Sequence, residues 1–90
     1  MRPAPAPSII VEELDDDVCL YRPDTNEVLV LNSTAGDIWR LSDGELSITD
    51  IGAQLAVVYG INQDQILGEV ESVVHDLTRR GYLDDHAHRS

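Results

Sequence analysis

The sequence predicts an α+β domain of winged-helix-like architecture, a three-stranded antiparallel sheet followed by three helices. Three observations carry that reading. Short apolar runs separated by polar turn residues fill the stretch from Ile9 to Leu31, the pattern of an antiparallel meander. Beyond Gly44 the apolar period changes from two to about 3.6 residues, the period of an amphipathic helix. No later strand is left for a parallel crossover, so the helices should cover one face of a small sheet.

Residues 1–8, MRPAPAPS, alternate Pro3, Pro5 and Pro7 with small residues and predict a flexible, semi-extended tail that cannot pair in a central strand. Ile9, Ile10 and Val11 read as a first strand, and Asp15, Asp16 and Asp17 as a polar turn. Val18, Cys19, Leu20 and Tyr21 make a second strand. Arg22 to Asn26 connect it onward, with turn chemistry from Pro23 and the side chains of Asp24 and Asn26, before Glu27 opens the third strand. Val28, Leu29, Val30 and Leu31 form an unbroken apolar run, which suits a strand with both faces covered. If that strand lies at the sheet's edge, its backbone is open to another chain, because no lysine, proline or evident bulge blunts it. A segment of the same chain or a dimer mate could equally cover it.

Asn32 and Ser33 end the run, and Thr34 with Asp37 resembles a capping box, starting a first helix at about Ala35. Ala35, Ile38, Trp39 and Leu41 share its apolar face, and Gly44 supplies a left-handed stop. Ser47 with Asp50 caps a second helix whose buried face is Ile48, Ile51, Leu55, Val58 and Tyr59, ending at Gly60. Asn62 with Gln65 caps a third, with Ile66, Val70, Val73, Val74 and Leu77 as its stripe. Arg79 and Arg80 suit its C-terminus, Gly81 ends it, and Tyr82 and Leu83 fold back as apolar anchors. Residues 84–90 read as a polar C-terminal tail, which places the folded domain at 9–83.

Ninety residues make one small domain with little room for an elaborate active site. Six basic against 17 acidic residues give a net charge of -11, which repels nucleic acid and anionic membranes and favours a basic partner. Cys19 is the single cysteine, so no internal disulfide forms, and the N-terminus lacks the apolar core of a signal peptide. With no stretch able to span a bilayer, the chain reads as a soluble cytoplasmic protein.

Few residues invite chemistry. Trp39, at helical spacing from Ala35 and Ile38, reads as core rather than a stacking platform. Cys19, in an apolar strand with no histidine near, reads as a small buried hydrophobe. His86 and His88 beside Asp84 and Asp85 lack the partners of a metal site, and His75 falls opposite the apolar stripe of its helix. No carboxylate pair, nucleophile with base, or phosphate loop stands out, so no enzyme activity, cofactor or metal is expected. A winged-helix DNA-binding regulator has a similar outline, but the third helix carries Glu69, Glu71 and Asp76 where a reader of phosphates and bases needs cations and amides. A structural dimerisation module using the same edge strand is the other alternative; a domain awaiting a peptide should stay largely monomeric.

Leu31, Asn32, Thr34, Ala35, Ile38, Trp39, Leu41, Asp43 and Gly44 match the LNxTAxxIWxLxDG pattern of the PqqD-like family, named for pyrroloquinoline quinone biosynthesis protein D. Ser47, Ile48, Asp50, Ile51, Leu55, Tyr59, Val70, Leu77, Gly81 and Leu83 continue the resemblance, which covers residues 9–83. It implies a non-catalytic recognition element for ribosomally made, post-translationally modified peptides. In such domains the precursor's leader peptide resembles an added strand, antiparallel to the third strand and lying between it and the third helix. Carried over by position, the backbone contacts fall on Glu27, Val28, Leu29, Val30 and Leu31, with Val70, Val73, Val74 and Leu77 as candidates for the groove wall. Periodicity does not divide those four between groove and core. The resemblance also implies a partner, a radical SAM maturation enzyme or a leader peptidase, near which the bound peptide is tethered. One departure is Val73, where family members usually carry phenylalanine; this chain contains no phenylalanine, so the contact there is smaller.

Overall fold

Along strand β3, Asp17–Arg22, Val18 and Leu20 are fully buried while Cys19 and Tyr21 stay half-buried. That period of two divides β3 into a core face and a solvent face. β3 is the centre of the sheet, paired antiparallel with β2, Ile10–Leu14, on one side and β4, Glu27–Leu31, on the other. The computed structural model describes residues 1–15 and 17–85; Asp16 and the histidines of the tail, His86 and His88, lie outside them.

Both hairpins follow from turn chemistry. Leu14 pairs with Asp17, and Asp15 takes φ 53 in the turn between them, a left-handed conformation that aspartate tolerates. Asp17 is therefore a strand residue rather than a turn residue. The second connection runs from Arg22 to its partner Glu27, with Asn26 at φ 58 accepting the Tyr21 hydroxyl proton at 2.8 Å. β2 begins one residue later than expected and continues through Glu12 and Glu13, because all five of its residues face solvent and ladder pairing, not burial, sets its length.

Helices α1, Ser33–Leu41, α2, Ile48–Tyr59, and α3, Gln63–Arg79, cover the core face. The cap of α1 is not Thr34 but Asn32, whose extended backbone lets its side-chain oxygen accept the Ala35 N–H at 2.9 Å. Thr34 already lies inside the helix, and Asp37 turns to Arg40 and Tyr59 instead. Gly44 is left-handed as expected, at φ 87, but it lies beyond the stop: α1 ends at Leu41 with Ser42 as its cap, and the Gly44 N–H donates to the Pro3 carbonyl at 2.9 Å. Ser47 and Asp50 do form a reciprocal capping box on α2, and Gly60 ends that helix in the left-handed conformation. At α3 the Gln65 side chain accepts the Asn62 N–H at 3.0 Å. Its far end is a Schellman turn in which Tyr82 N–H reaches the Leu77 carbonyl and Gly81 N–H that of Thr78.

Core residues come from every layer: Val18, Leu20 and Leu31 from the sheet, Ile38 and Trp39 from α1, Ile51, Leu55 and Ala56 from α2, and Ile66, Val70, Val74 and Leu77 from α3, closed by Tyr82 and Leu83. Val58 and Tyr59 are exposed rather than buried, since the inner face of α2 is Ile51, Gly52, Leu55 and Ala56. α1 approaches β3 closely at Gly36, where a Cβ would stand 3.0 Å from Val18 Cγ2.

The N-terminal residues are not a free tail. Pro3–Pro5 forms strand β1, antiparallel to β5, Leu83–Asp85, and Pro3 is buried. Alternation makes this possible. Ala6 donates its N–H to the Tyr82 carbonyl on the β5 side, whereas Pro3 turns its backbone away from β5, toward Gly44, so the missing proline donor leaves no ladder bond unmade.

Candidate functional site

β4 has β3 on one side, in register from Arg22 opposite Glu27 to Val18 opposite Leu31, and no strand on the other among the described residues. Its outward N–H and C=O groups are a template for another chain. β2 is the opposite edge, but it carries Glu12 and Glu13 mid-strand, and Glu13 is engaged by Arg40 at 2.6 Å. Past Glu27, β4 carries no charge.

The apolar run of β4 is not covered on both faces. Leu31 is buried and Leu29 half-buried on the core side, while Val28 and Val30 are 62% and 59% exposed on the other. Cys19 and Tyr21, their partners in the ladder, lie half-buried on the same outer face, so Cys19 is not the fully buried hydrophobe its strand suggested. Two valines in water on an edge strand make a surface suited to a cross-strand partner.

Four residues of α3 were candidates for the wall facing β4. Val70 and Val74 are 0% exposed and Leu77 2%, so these three belong to the core and cannot touch a ligand in this conformation. The reason is the spacing of Ile66, Val70, Val74 and Leu77, which keeps one face of the helix turned inward. Val73 sits about 100° round the helix from Val74 and stays half-buried at the core margin, as Leu29 does on β4.

Charge at the head of β4 is held in a fixed arrangement that sequence inspection missed. Arg22 donates to the Arg80 carbonyl at 2.5 Å, pairs with Asp24 at 3.5 Å, and lies over the Tyr82 ring. Its signal was an arginine directly after an apolar strand and a tyrosine directly after a helix-ending glycine. Burial pushes the Tyr82 phenol up, Glu27 adds to that, and Arg22 and Arg80 oppose it. The Tyr82 hydroxyl is buried without a hydrogen-bond partner. Asp76 on α3 is pushed up by desolvation, but hydrogen bonds from Arg79 and Arg80 outweigh this and hold its carboxyl below the ordinary range. Glu27 and Glu69 remain exposed carboxylates on the two elements.

Backbone pairing is the chemistry this surface offers. Among the described residues no three or more His, Cys, Asp or Glu side chains assemble to hold a metal ion, and no helix is long and apolar enough to cross a membrane.

Known proteins resemble this chain in sequence and in fold. A family model for coenzyme PQQ synthesis protein D (PqqD) matches residues 17–83. The chain is 34% identical over 56 residues to a PqqA binding protein of Bradyrhizobium diazoefficiens, a match covering 62% of this chain and 54% of that one. It thus spans about half the length of that curated relative. Two solved structures share the fold. One is TbiB1 in complex with the TbiA(beta) leader peptide, at a TM-score of 0.81 and 16% identity, covering 90% of this chain and 94% of the other. The second is a lasso peptide synthetase B1 complexed with the leader peptide, at 0.82 and 21%, covering 93% and 99%.

Proposed function

The chain belongs to the PqqD family, and from that premise we propose that it is a non-catalytic binding protein for the leader segment of a ribosomally made precursor peptide. The leader adds as a strand antiparallel to β4, hydrogen-bonding along Glu27 to Leu31, and passes between that strand and α3. Leu29 and Val73 provide apolar contact on the core side, and Val28 and Val30 on the outer side. Val70, Val74 and Leu77 support Val73 from beneath. The bound precursor is then delivered to a maturation enzyme, a radical SAM enzyme or a leader peptidase, in the cytoplasm where the peptide is made. Tethering raises the peptide's concentration at that enzyme without any new catalytic group.

One observation carries this reading: an edge strand with no strand on its outer side among the described residues, without charge past Glu27 and with two valines more than half exposed. Main-chain hydrogen bonds supply affinity in strand addition, and alternate side chains supply specificity. The two structural neighbours, both solved with leader peptides, support it through their shared fold.

The test is a titration of isotopically labelled protein with the leader half of its precursor, following backbone amide shifts. Saturable shifts centred on Glu27 to Leu31 and on α3 around Val73 are expected. Shifts absent at high peptide concentration, or confined to other elements, would overturn the assignment. The net charge of -11 also calls for basic residues on the ligand, so affinity should fall as salt rises.

A further inference from the structure

The two most exposed large apolar side chains among the described residues are Val57 and Val58, at 83% and 74%, both on the outer face of α2. This helix is apolar round most of its girth: Ile51, Leu55 and Ala56 point inward, Ala53, Val57 and Val58 outward, and exposed Ile61 follows just past the Gly60 cap. A helix of that composition is normally covered on both sides. Here shallow clefts flank Val58, one of about 420 Å³ walled by Ala53, Gln54 and Val57, the other of about 220 Å³ walled by Asp37, Arg40, Leu41 and Leu55.

The surrounding charge selects the occupant. Arg40 is the cation of the lining, and it is already engaged by Glu13 at 2.6 Å and Asp37 at 3.0 Å. Asp50 lies at the N-terminal end of the same ridge, and every copy of the chain carries a net charge of -11. A second copy would bring like charge to like. Opposite charge around an apolar centre is complementary.

We propose that the Ala53–Ile61 face of α2 is a second docking surface, taking a partner protein that presents an apolar helix face rimmed by lysine or arginine. Resting on the function proposed above, that partner is the maturation enzyme, and β4 remains free for the leader. The layout allows both at once, since α2 packs chiefly on α3 and β4 chiefly on β3.

The experiment titrates the labelled full chain with a synthetic amphipathic helix of roughly 18 residues, about five turns, leucine on one face and lysine on the other. A counterpart with glutamate for lysine is the control. Saturable, salt-sensitive shifts at Ala53, Gln54, Val57, Val58 and Ile61 are expected with the lysine peptide and none with the control. Val57→Glu/Val58→Glu should weaken binding by about tenfold or more, and the milder Val57→Ser/Val58→Ser should weaken it in the same direction. Both pairs lie at exposed positions, so folding is retained. No binding of the lysine peptide, shifts centred on β4 or α3, or unchanged affinity in both double variants would overturn the proposal. So would sedimentation showing a dimer that these variants dissociate, because the occupant would then be a second copy. Leader titration of the same variants separates the two ideas. Affinity for the leader should survive there, and its absence in the parent protein would sink the reading of β4 rather than that of α2.

Discussion

The guanidinium of Arg22 lies over the ring of Tyr82, 5.8 Å from its centroid, joining the end of β3 to the turn that ends α3. The same side chain donates to the Arg80 carbonyl, one of the carbonyls left without a partner at a helix C-terminus, and sits against Gly81, where a Cβ would meet Nη1 at 2.7 Å. One arginine thus holds the sheet and α3 in a fixed relation, and the edge of β4 with them.

Arg22→Ala should therefore lose a cation–π contact and a hydrogen bond to a helix terminus, together costing about 1–2 kcal/mol. Gly81→Ala should cost about as much, because φ +88 is strained for alanine and the added methyl collides with the guanidinium. Urea unfolding of both variants, with Arg22→Lys as an intermediate case, measures this. A variant of either kind with unchanged stability would show that the contact holds nothing.

Val30→Pro tests the edge directly. Val30 is 59% exposed, so little packing is lost, but proline removes a backbone donor and distorts the strand. Leader affinity should fall by about tenfold or more while circular dichroism keeps its helical signal. A folded variant that binds as tightly as the parent excludes β4 as the site.

Gly36→Ala sets helix propensity against packing. Alanine is favoured over glycine inside a helix by about 1 kcal/mol, yet here its Cβ would press on Val18 Cγ2 at 3.0 Å. Val18 is fully buried and stiff at χ1, so packing should win and the variant should be less stable. In Gly36→Ala/Val18→Ala the clash is gone, and the two losses should sum to more than the double variant shows.

Trp39→Ala should be the most damaging of the core changes, at about 3–5 kcal/mol, because it removes the largest side chain of the buried core cluster. Thermal unfolding reads this. A loss under about 1 kcal/mol would assign the tryptophan to the surface instead.

Alkaline pH should loosen the contact between α1 and α2. Although Tyr59 is exposed, partial desolvation raises its phenol, and the hydrogen bond to Asp37 raises it further. A raised folded value means the stabilisation is present below the ordinary tyrosine value of about 10 and is lost as pH rises through the higher folded one. Phenolate absorbance should show Tyr59 ionising late, and Tyr59→Phe should flatten the fall of stability with pH. At the acid end Asp76 works the other way: its depressed carboxyl contributes above the unfolded value and stops contributing as pH falls through the folded one.

Local chemistry was legible residue by residue. The Ser47–Asp50 box, the stops at Gly60 and Gly81 and the core placing of Trp39 each depend on neighbours a few positions away, and each stands as the spacing implied. The cap of α1 slipped from Thr34 to Asn32 because both are good caps, and the choice rests on where β4 releases the chain. What the sequence by itself determined, then, is the order of strands and helices, the acidic surface and the apolar stripes. Only the tertiary structure decided which side of each stripe is covered. It put β4 at an open edge with Val28 and Val30 in solvent, closed Val70, Val74 and Leu77 into the core, left Val57 and Val58 bare, and recruited Pro3–Pro5 as a strand. Periodicity fixes the angle between side chains on one element, whereas exposure depends on which other element arrives from elsewhere in the chain to cover them.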